Sequence, residues 1–320
     1  MSRRLEYKVR PEDSGMCIRE FLRLKLAFSG HQISRLKYQE DGIRINGEKA
    51  YVSHVLSEGE VLTVGLTEQI LRRTTEGGRP GKIWEAPSPE LDAFPLEVLY
   101  EDRDLLIVNK PAGLVCHPSP GHYNDTLANQ AAAHLGGIGT AMDMRVTGRL
   151  DRETSGIVTF ALNTETAAMI QRQREDGRLV KTYLALAEGR FDHMEGVVDA
   201  PLRRENPGSH RMICAADGKA ARTFYRVLGL TKSEKGEPRT YLACRIEHGR
   251  THQIRVHMAH IGHPLAGDPL YGMSKAGKNS AETMCLHAYT LSLYRPFEEV
   301  KIEIRADLPI WAYKLSQDTV

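Results

Sequence analysis

The residues richest in chemistry lie in "VTGRLDRETSGIVTFALN", residues 146–163, where Asp151 stands between Arg149 and Arg152 ahead of a glycine and a short apolar run. A neighbouring guanidinium favours the ionised form of a carboxylate. The ordinary reading of such a group is a turn aspartate paired with its neighbours. The alternative is a group kept charged for use, able to attack an electrophilic carbon or to take a proton. The turn into "SGIV" places Asp151 at the mouth of a strand, where pocket residues often sit.

A second segment, "EHGRTHQIRVHMAHIGHPLAGDPLYG", gathers Arg250, His252 and Arg255 near the start of a helix. Thr251 is the expected cap, Ile254, Met258 and Ile261 form the apolar stripe, and Gly262 and Pro264 end it. His257, His260 and His263 recur every three residues and raise the question of a metal. No paired carboxylate follows, His263 falls beyond the helix stop, and the zincin HExxH pattern is missing, so no metal site is expected. Tyr183, in "VKTYLALAEG", offers either a packed core ring or a flat face for stacking on a base. Arg203, Arg204, His210, Arg211, Lys219 and Arg222 form a basic stretch whose plain reading is a solvated loop.

The elements that must position these groups are legible. "LLIVNK" and "GIVTFALN" read as buried strands. Asn163 or Thr164 caps a helix running to about Glu175, stopped by Asp176-Gly177. "TYLALAEG", "AARTFYRVLGL", "TYLACRIEHG" and the alternating "VKIEIRADLP" supply further strands. The pattern lacks regular βαβ spacing, so the expected fold is mixed α+β with a mainly antiparallel sheet rather than a doubly wound one. Upstream, "SGMCIREFLRLKLA" carries Ile18, Phe21, Leu22 and Leu26 at helical spacing. "HQISRLKYQEDG" reads as a second short helix, and Asn46-Gly47 as a hairpin turn.

Residues 72–92, rich in Gly, Pro and charge, read as a linker between a small module, 1–71, and a large one, 93–320. The 320 residues suffice for two domains with full cores. The net charge is only +2, so any surface for nucleic acid must come from local clustering. Such clustering exists in the small module at Arg19, Arg23, Lys25, Arg35, Lys37 and Arg44. Five scattered cysteines form neither a disulfide framework nor a zinc spacing, which points to a reducing, cytoplasmic setting. The charged N-terminus lacks a secretory h-region, and no run is long and apolar enough to span a membrane.

Taken in order, "NKPAGLVCHP", "GRLDRETSGIVTFALN", "KTYLALAEG", "GKAARTFY", "GRTHQIRVHMAHIGHPLAGDPLYG" and "LHAYTLSL" resemble the RluA family of RNA pseudouridine synthases, from about residue 95 to residue 308. The leading module, roughly residues 14–65, resembles the alpha-L (S4-like) RNA-binding motif, as in two-domain members of that family.

The resemblance implies a catalytic domain of pseudouridine synthase type and isomerisation of uridine within structured RNA. Large-subunit ribosomal RNA is the expected partner, with transfer RNA as the alternative. The isomerisation it implies needs no nucleotide, metal or redox cofactor, and a monomer is the default expectation. It assigns Asp151 as nucleophile or base, Tyr183 to the flipped uracil, Arg255 as the partner of Asp151, and Arg149 to base extrusion. Arg152, Arg35, Lys37, Arg44, Lys219 and His252 are the further expected RNA contacts. Where the family motif reads His-Arg-Leu-Asp, this chain has Gly148 in place of the histidine. Two rival readings stand beside this one. In the first, Asp151 and Glu153 form the carboxylate pair of an RNA N-glycoside hydrolase, although both would face the same side of the sugar. In the second, the chain is a non-catalytic RNA-binding or ribosome-assembly factor.

Overall fold

The computed structural model describes residues 3–26, 28–66, 82–139, 141–272, 283–298, 300–313 and 315. The N-terminal unit runs β1 (Arg3–Lys8), α1 (Ile18–Leu24), α2 (Gly30–Tyr38), β2 (Ile43–Ile45), β3 (Glu48–Lys49) and β4 (Val61–Leu66). The strands pair antiparallel in the order β1-β4-β2-β3. Ser29 caps α2, and its hydroxyl accepts the Gln32 N–H. The helix ends at Tyr38, ahead of Gly42. Asn46 and Gly47 both take positive φ, at 50° and 86°, as the tight hairpin between β2 and β3 demands. Ile18, Phe21, Leu22, Leu36 and Leu62 close the core of this unit.

The first part of the expected linker, 72–81, lies outside the described residues. Its second part does not run as free chain. β5 (Lys82–Ile83) pairs with β8 (Ala141–Met142), and Trp84 and Leu91 are buried in the core of the large domain.

That domain continues with β6 (Glu97–Glu101), β7 (Leu105–Lys110), α3 (Leu127–His134), β9 (Arg145–Val146), β10 (Ser155–Ala161), α4 (Thr164–Glu175), β11 (Val180–Glu188) and β12 (Glu195–Asp199). Then follow β13 (Leu202–Arg204), β14 (Met212–Cys214), β15 (Arg222–Lys232), β16 (Pro238–Ile246), α5 (Gln253–His260), β17 (Leu286–Tyr294) and β18 (Lys301–Arg305). Ten strands form one sheet with the path β12-β15-β16-β11-β17-β10-β7-β6, to which β9 and β18 add at β10 and β17. The mixed α+β expectation with mainly antiparallel pairing holds: all pairs are antiparallel except β10 with β17. That parallel seam spans two residue pairs, Ser155 with His287 and Gly156 with Ala288. Gly156 has φ 104°, and a Cβ there would meet the Ala288 backbone at 2.3 Å, so the seam admits only glycine.

Ile157, Val158 and Phe160 of β10 are fully buried against Leu105, Leu106 and Ile107 of β7. Each such side chain contributes about 1.5–3 kcal/mol. Asn163 caps α4, its side-chain oxygen accepting the Thr166 N–H, as the sequence predicts.

The start of α5 differs from expectation. Thr251 is not the cap. His252 occupies that position in the left-handed region, φ 56°, and the helix begins at Gln253. The Gln253 amide donates to the Arg222 carbonyl and to Thr223 Oγ1, which fixes the turn from inside, while the Thr251 hydroxyl accepts from Arg149. No helix among the described residues is long and apolar enough to cross a membrane.

Candidate active site

Asp151 sits in the loop that joins β9 to β10. The loop is held by atoms that its own sequence does not reveal. Lys110, at the end of β7, is fully buried and donates to the carbonyls of Pro111, Leu114 and Arg152 at 2.8, 2.8 and 3.0 Å. The Gly113 N–H donates to the Arg152 carbonyl, and Arg152 Nε returns a bond to the Gly113 carbonyl. Leu150 is pinned on both sides by Cys116, whose Sγ accepts from its N–H and donates to its carbonyl. The Thr154 N–H then closes a turn on the Asp151 carbonyl at 3.1 Å.

The cation that meets Asp151 is not one of its sequence neighbours. Arg149 reaches Thr251, and Arg152 is spent on Gly113. Arg255 of α5 brings Nη1 to 3.5 Å from Asp151 Oδ2. Its other edge is gripped by Asp268, with Nε and Nη2 each 2.8 Å from one carboxylate oxygen. Asp268 is in turn fixed by the N–H groups of Leu270 and Tyr271. Burial works against its charge, but the bonds and field of Arg255 outweigh it and hold the carboxyl below its usual range. His252 Nε2 lies 4.0 Å from Asp151 Oδ2 and its Nδ1 is 3.0 Å from the Tyr271 hydroxyl. Burial holds the His252 imidazole below its ordinary pKa, with Asp151 pulling the other way.

Asp151, His252 and Arg255 line an open groove of about 1780 Å³, bordered also by Gly148, Arg149, Arg174, Lys181 and Tyr183. Pockets for small ligands measure about 300–1,000 Å³, so this groove has the scale of a polymer track. Tyr183 is buried, and burial pushes its phenol up, away from the range of a general base at neutral pH. What it offers the groove is a ring face. Lys181 of β11 donates to the Ile157 carbonyl at 2.9 Å. Burial, then the charge of Arg174, brings its ammonium down to about 8.

The structure therefore brings Asp151, Tyr183, Arg255, Arg149 and His252 to one groove. Arg152 and Lys219 do not line it. Arg35, Lys37 and Arg44 lie in the N-terminal unit, where Arg44 is tied to Asp41 at 2.6 Å. Glu153, the second carboxylate of the hydrolase reading, points to Arg152 and is not a groove residue. His257 is consumed by Thr223 Oγ1 and the Ala200 carbonyl, and no group of metal-ligating side chains is assembled among the described residues.

The family model for RNA pseudouridylate synthases matches residues 104–260, which takes in Asp151, Tyr183 and Arg255. The uncharacterized RNA pseudouridine synthase YlyB of Bacillus subtilis is 34% identical over 291 residues, covering 89% of this chain and 89% of that protein. The chain belongs to the RNA pseudouridine synthase family. The ribosomal large subunit pseudouridine synthase D of Zymomonas mobilis is 37% identical over 228 residues, 68% of this chain and 70% of that one. Among solved structures, human RNA pseudouridylate synthase domain containing 1 superposes with a TM-score of 0.56 at 28% identity, covering 68% of this chain and 86% of that one. This RNA pseudouridine synthase is thus an isomerase acting on uridine in RNA, and its sheet is of the family's type.

Asp268, Lys110, Lys181 and Arg174 are the residues of this pseudouridine synthase that sequence reasoning leaves unassigned. Asp268 and Lys110 fall inside segments that carry the resemblance, yet no spacing rule links them to Asp151. Arg174 and Lys181 frame the one motif departure, Gly148. That glycine has φ 94°, and a Cβ there would meet Arg174 Nη2 at 2.7 Å.

Proposed function

We propose that this chain modifies large-subunit ribosomal RNA in the cytoplasm, with Asp151 as the group that breaks the glycosidic bond. The observation that supports it is one carboxylate, partnered by a buried arginine, on the wall of a groove too large for a free nucleoside. The ribosomal large subunit synthase among its relatives supports the choice of RNA. A single chain supplies every group named above, so a monomer suffices.

The target uridine must leave its stack, at a cost of a few kcal/mol. Arg149, exposed at the groove edge, fills the vacated space, and the Tyr183 ring receives the extruded base. Asp151 attacks C1′ or removes the C2′ proton, and the N1–C1′ bond breaks. The uracil turns and C5 joins C1′ as the bond between Asp151 and C1′ breaks or, on the second route, as the proton returns to C2′; the C5 hydrogen then leaves to solvent, and N1 takes a proton. Arg255 keeps the carboxylate aimed throughout. Tyr183 serves as a surface for the ring, since its phenol stays protonated.

The test is a set of transcripts carrying tritium at uridine C5. Release of tritium from large-subunit fragments, with an intact chain and no free uracil, is the expected result. Free uracil indicates hydrolysis, and binding without release indicates a non-catalytic factor. Release confined to transfer RNA would overturn the choice of substrate.

The N-terminal unit is proposed as the RNA grip. Lys37 is exposed beside Tyr38, which is 88% exposed, and Lys49 lies near Tyr51, 84% exposed. Cations interleaved with bare aromatic rings suit phosphates and bases together. Replacing both Lys37 and Lys49 with alanine is expected to flatten log K against log salt by about 1.4–1.8, at roughly 0.7–0.9 per lost phosphate contact. An unchanged slope in a filter-binding titration removes this unit from the RNA interface.

A further inference from the structure

Gly148 leaves a gap in the family's motif, and the structure has a second chain segment in that gap. A Cβ built on Gly148 would lie 2.7 Å from Arg174 Nη2, 3.7 Å from Arg174 Cζ and 4.0 Å from Lys181 Nζ. The guanidinium therefore rests directly over the glycine, in space that any side chain at 148 would contest. Arg174 comes from the last turn of α4, and Lys181 from the start of β11, so two elements deliver two cations to one spot beside the loop that carries Asp151.

Neither cation has an acidic partner there. Among the described residues no carboxylate pairs with Arg174 or Lys181. The neighbouring acid on the same helix turn, Glu175, accepts from Gln171 instead. Lys181 makes one bond, to the Ile157 carbonyl, and an ammonium carries three donors. Like charges held together without a counter-ion repel, and an anion bound between them removes that repulsion. The rest of the groove is not uniformly basic: Asp151, Glu175, Asp176, Glu195 and Glu247 also line it. A polyanion threading this groove meets these acids interspersed with Arg149, Arg226, Arg245, Arg250 and Arg255, and at Gly148 a pair of cations with no carboxylate partner among the described residues.

We propose that Arg174 and Lys181 form a phosphate-binding subsite that holds the RNA backbone next to the reacting uridine, with Arg174 standing in the place left by the missing histidine of the motif. This rests on the reading of the groove as the site of uridine isomerisation. Arginine is suited to the task, because its planar fork matches two phosphate oxygens at once. The glycine is then a permissive residue: without a Cβ it lets the helix arginine reach the strand from behind the loop. Arg174 is a positioning residue in this scheme, acting on the backbone of the substrate and leaving the chemistry to Asp151.

The experiment compares the full-length wild type with Arg174→Gln and Arg174→Lys, using a transcript that the wild type binds. Affinity is measured across a salt series, tritium release in single turnover, and Tm by calorimetry. Arg174→Gln is expected to bind about tenfold more weakly and to flatten the salt slope by about 0.7–0.9, the share of one phosphate. Its Tm stays within about 2 °C, and Arg174→Lys recovers the slope because it keeps the charge. A slope unchanged in Arg174→Gln overturns the subsite, whether or not Tm falls, since packing alone does not alter counter-ion release. A slope that stays flat in Arg174→Lys also overturns it. Should the wild type bind RNA but release no tritium, the isomerisation reading fails, while the salt slopes still decide whether the cation pair holds phosphate.

Discussion

Asp151→Asn is expected to slow tritium release by about 10⁴-fold or more while RNA affinity stays within a few-fold. Asparagine keeps the shape and can still accept from Arg255, but it neither attacks carbon nor takes a proton. The variant also separates chemistry from folding. Arg255 retains both bonds to Asp268 when the Asp151 charge is gone, so no buried cation is stranded. Unfolding free energy is therefore expected to change by less than about 1 kcal/mol, the scale of a partly exposed pair. Turnover surviving in this variant removes Asp151 from the mechanism. A large loss of stability shows instead that the carboxylate is a structural group.

Asp268→Asn is expected to behave in the opposite way. Arg255 is 2% exposed and Asp268 5% exposed, and the two share a two-bond contact with both atoms at 2.8 Å. Replacing one partner of such a buried pair leaves Arg255 only its longer contact with the partly exposed Asp151, and costs up to about 3–5 kcal/mol. Denaturant titration should show that loss as a lower midpoint. Turnover is expected to fall about 10–100-fold as well, the usual scale for a group that orients another, because Arg255 is freed to rotate toward Asp151 and away from its working position. Asp268→Glu, which keeps the charge, should recover part of both. Wild-type stability together with wild-type turnover in Asp268→Asn shows that Arg255 needs no anchor.

What could be read from the sequence was what is decided locally. The Asn46-Gly47 hairpin and the Asn163 cap depend on a few adjacent residues, and both stand as expected. So does the apolar strand ahead of Asn163, whose burial follows from composition alone. The groove's chemistry was legible through the order of motifs, which brought Asp151, Tyr183 and Arg255 to attention. Partnerships were harder. Asp151 has two arginines beside it and takes a third from 104 residues away. Arg255 meets Asp268 across 13 residues, a spacing with no helical or strand meaning. The cap of α5 fails for a related reason. Thr251 is a good capping residue, but Gln253 is anchored to β15 and pulls the turn into a left-handed residue at His252, and tertiary bonding overrides the local preference.

The buried lysine behind the loop has a consequence for the timing of order. With its ammonium enclosed by three carbonyl oxygens, Lys110 does what a trapped monovalent ion would do, except that it is tethered and cannot diffuse away. The strand-entry segment is thereby organised when the polypeptide first folds. Arriving RNA meets a rigid wall, and little of its binding energy goes into arranging the protein.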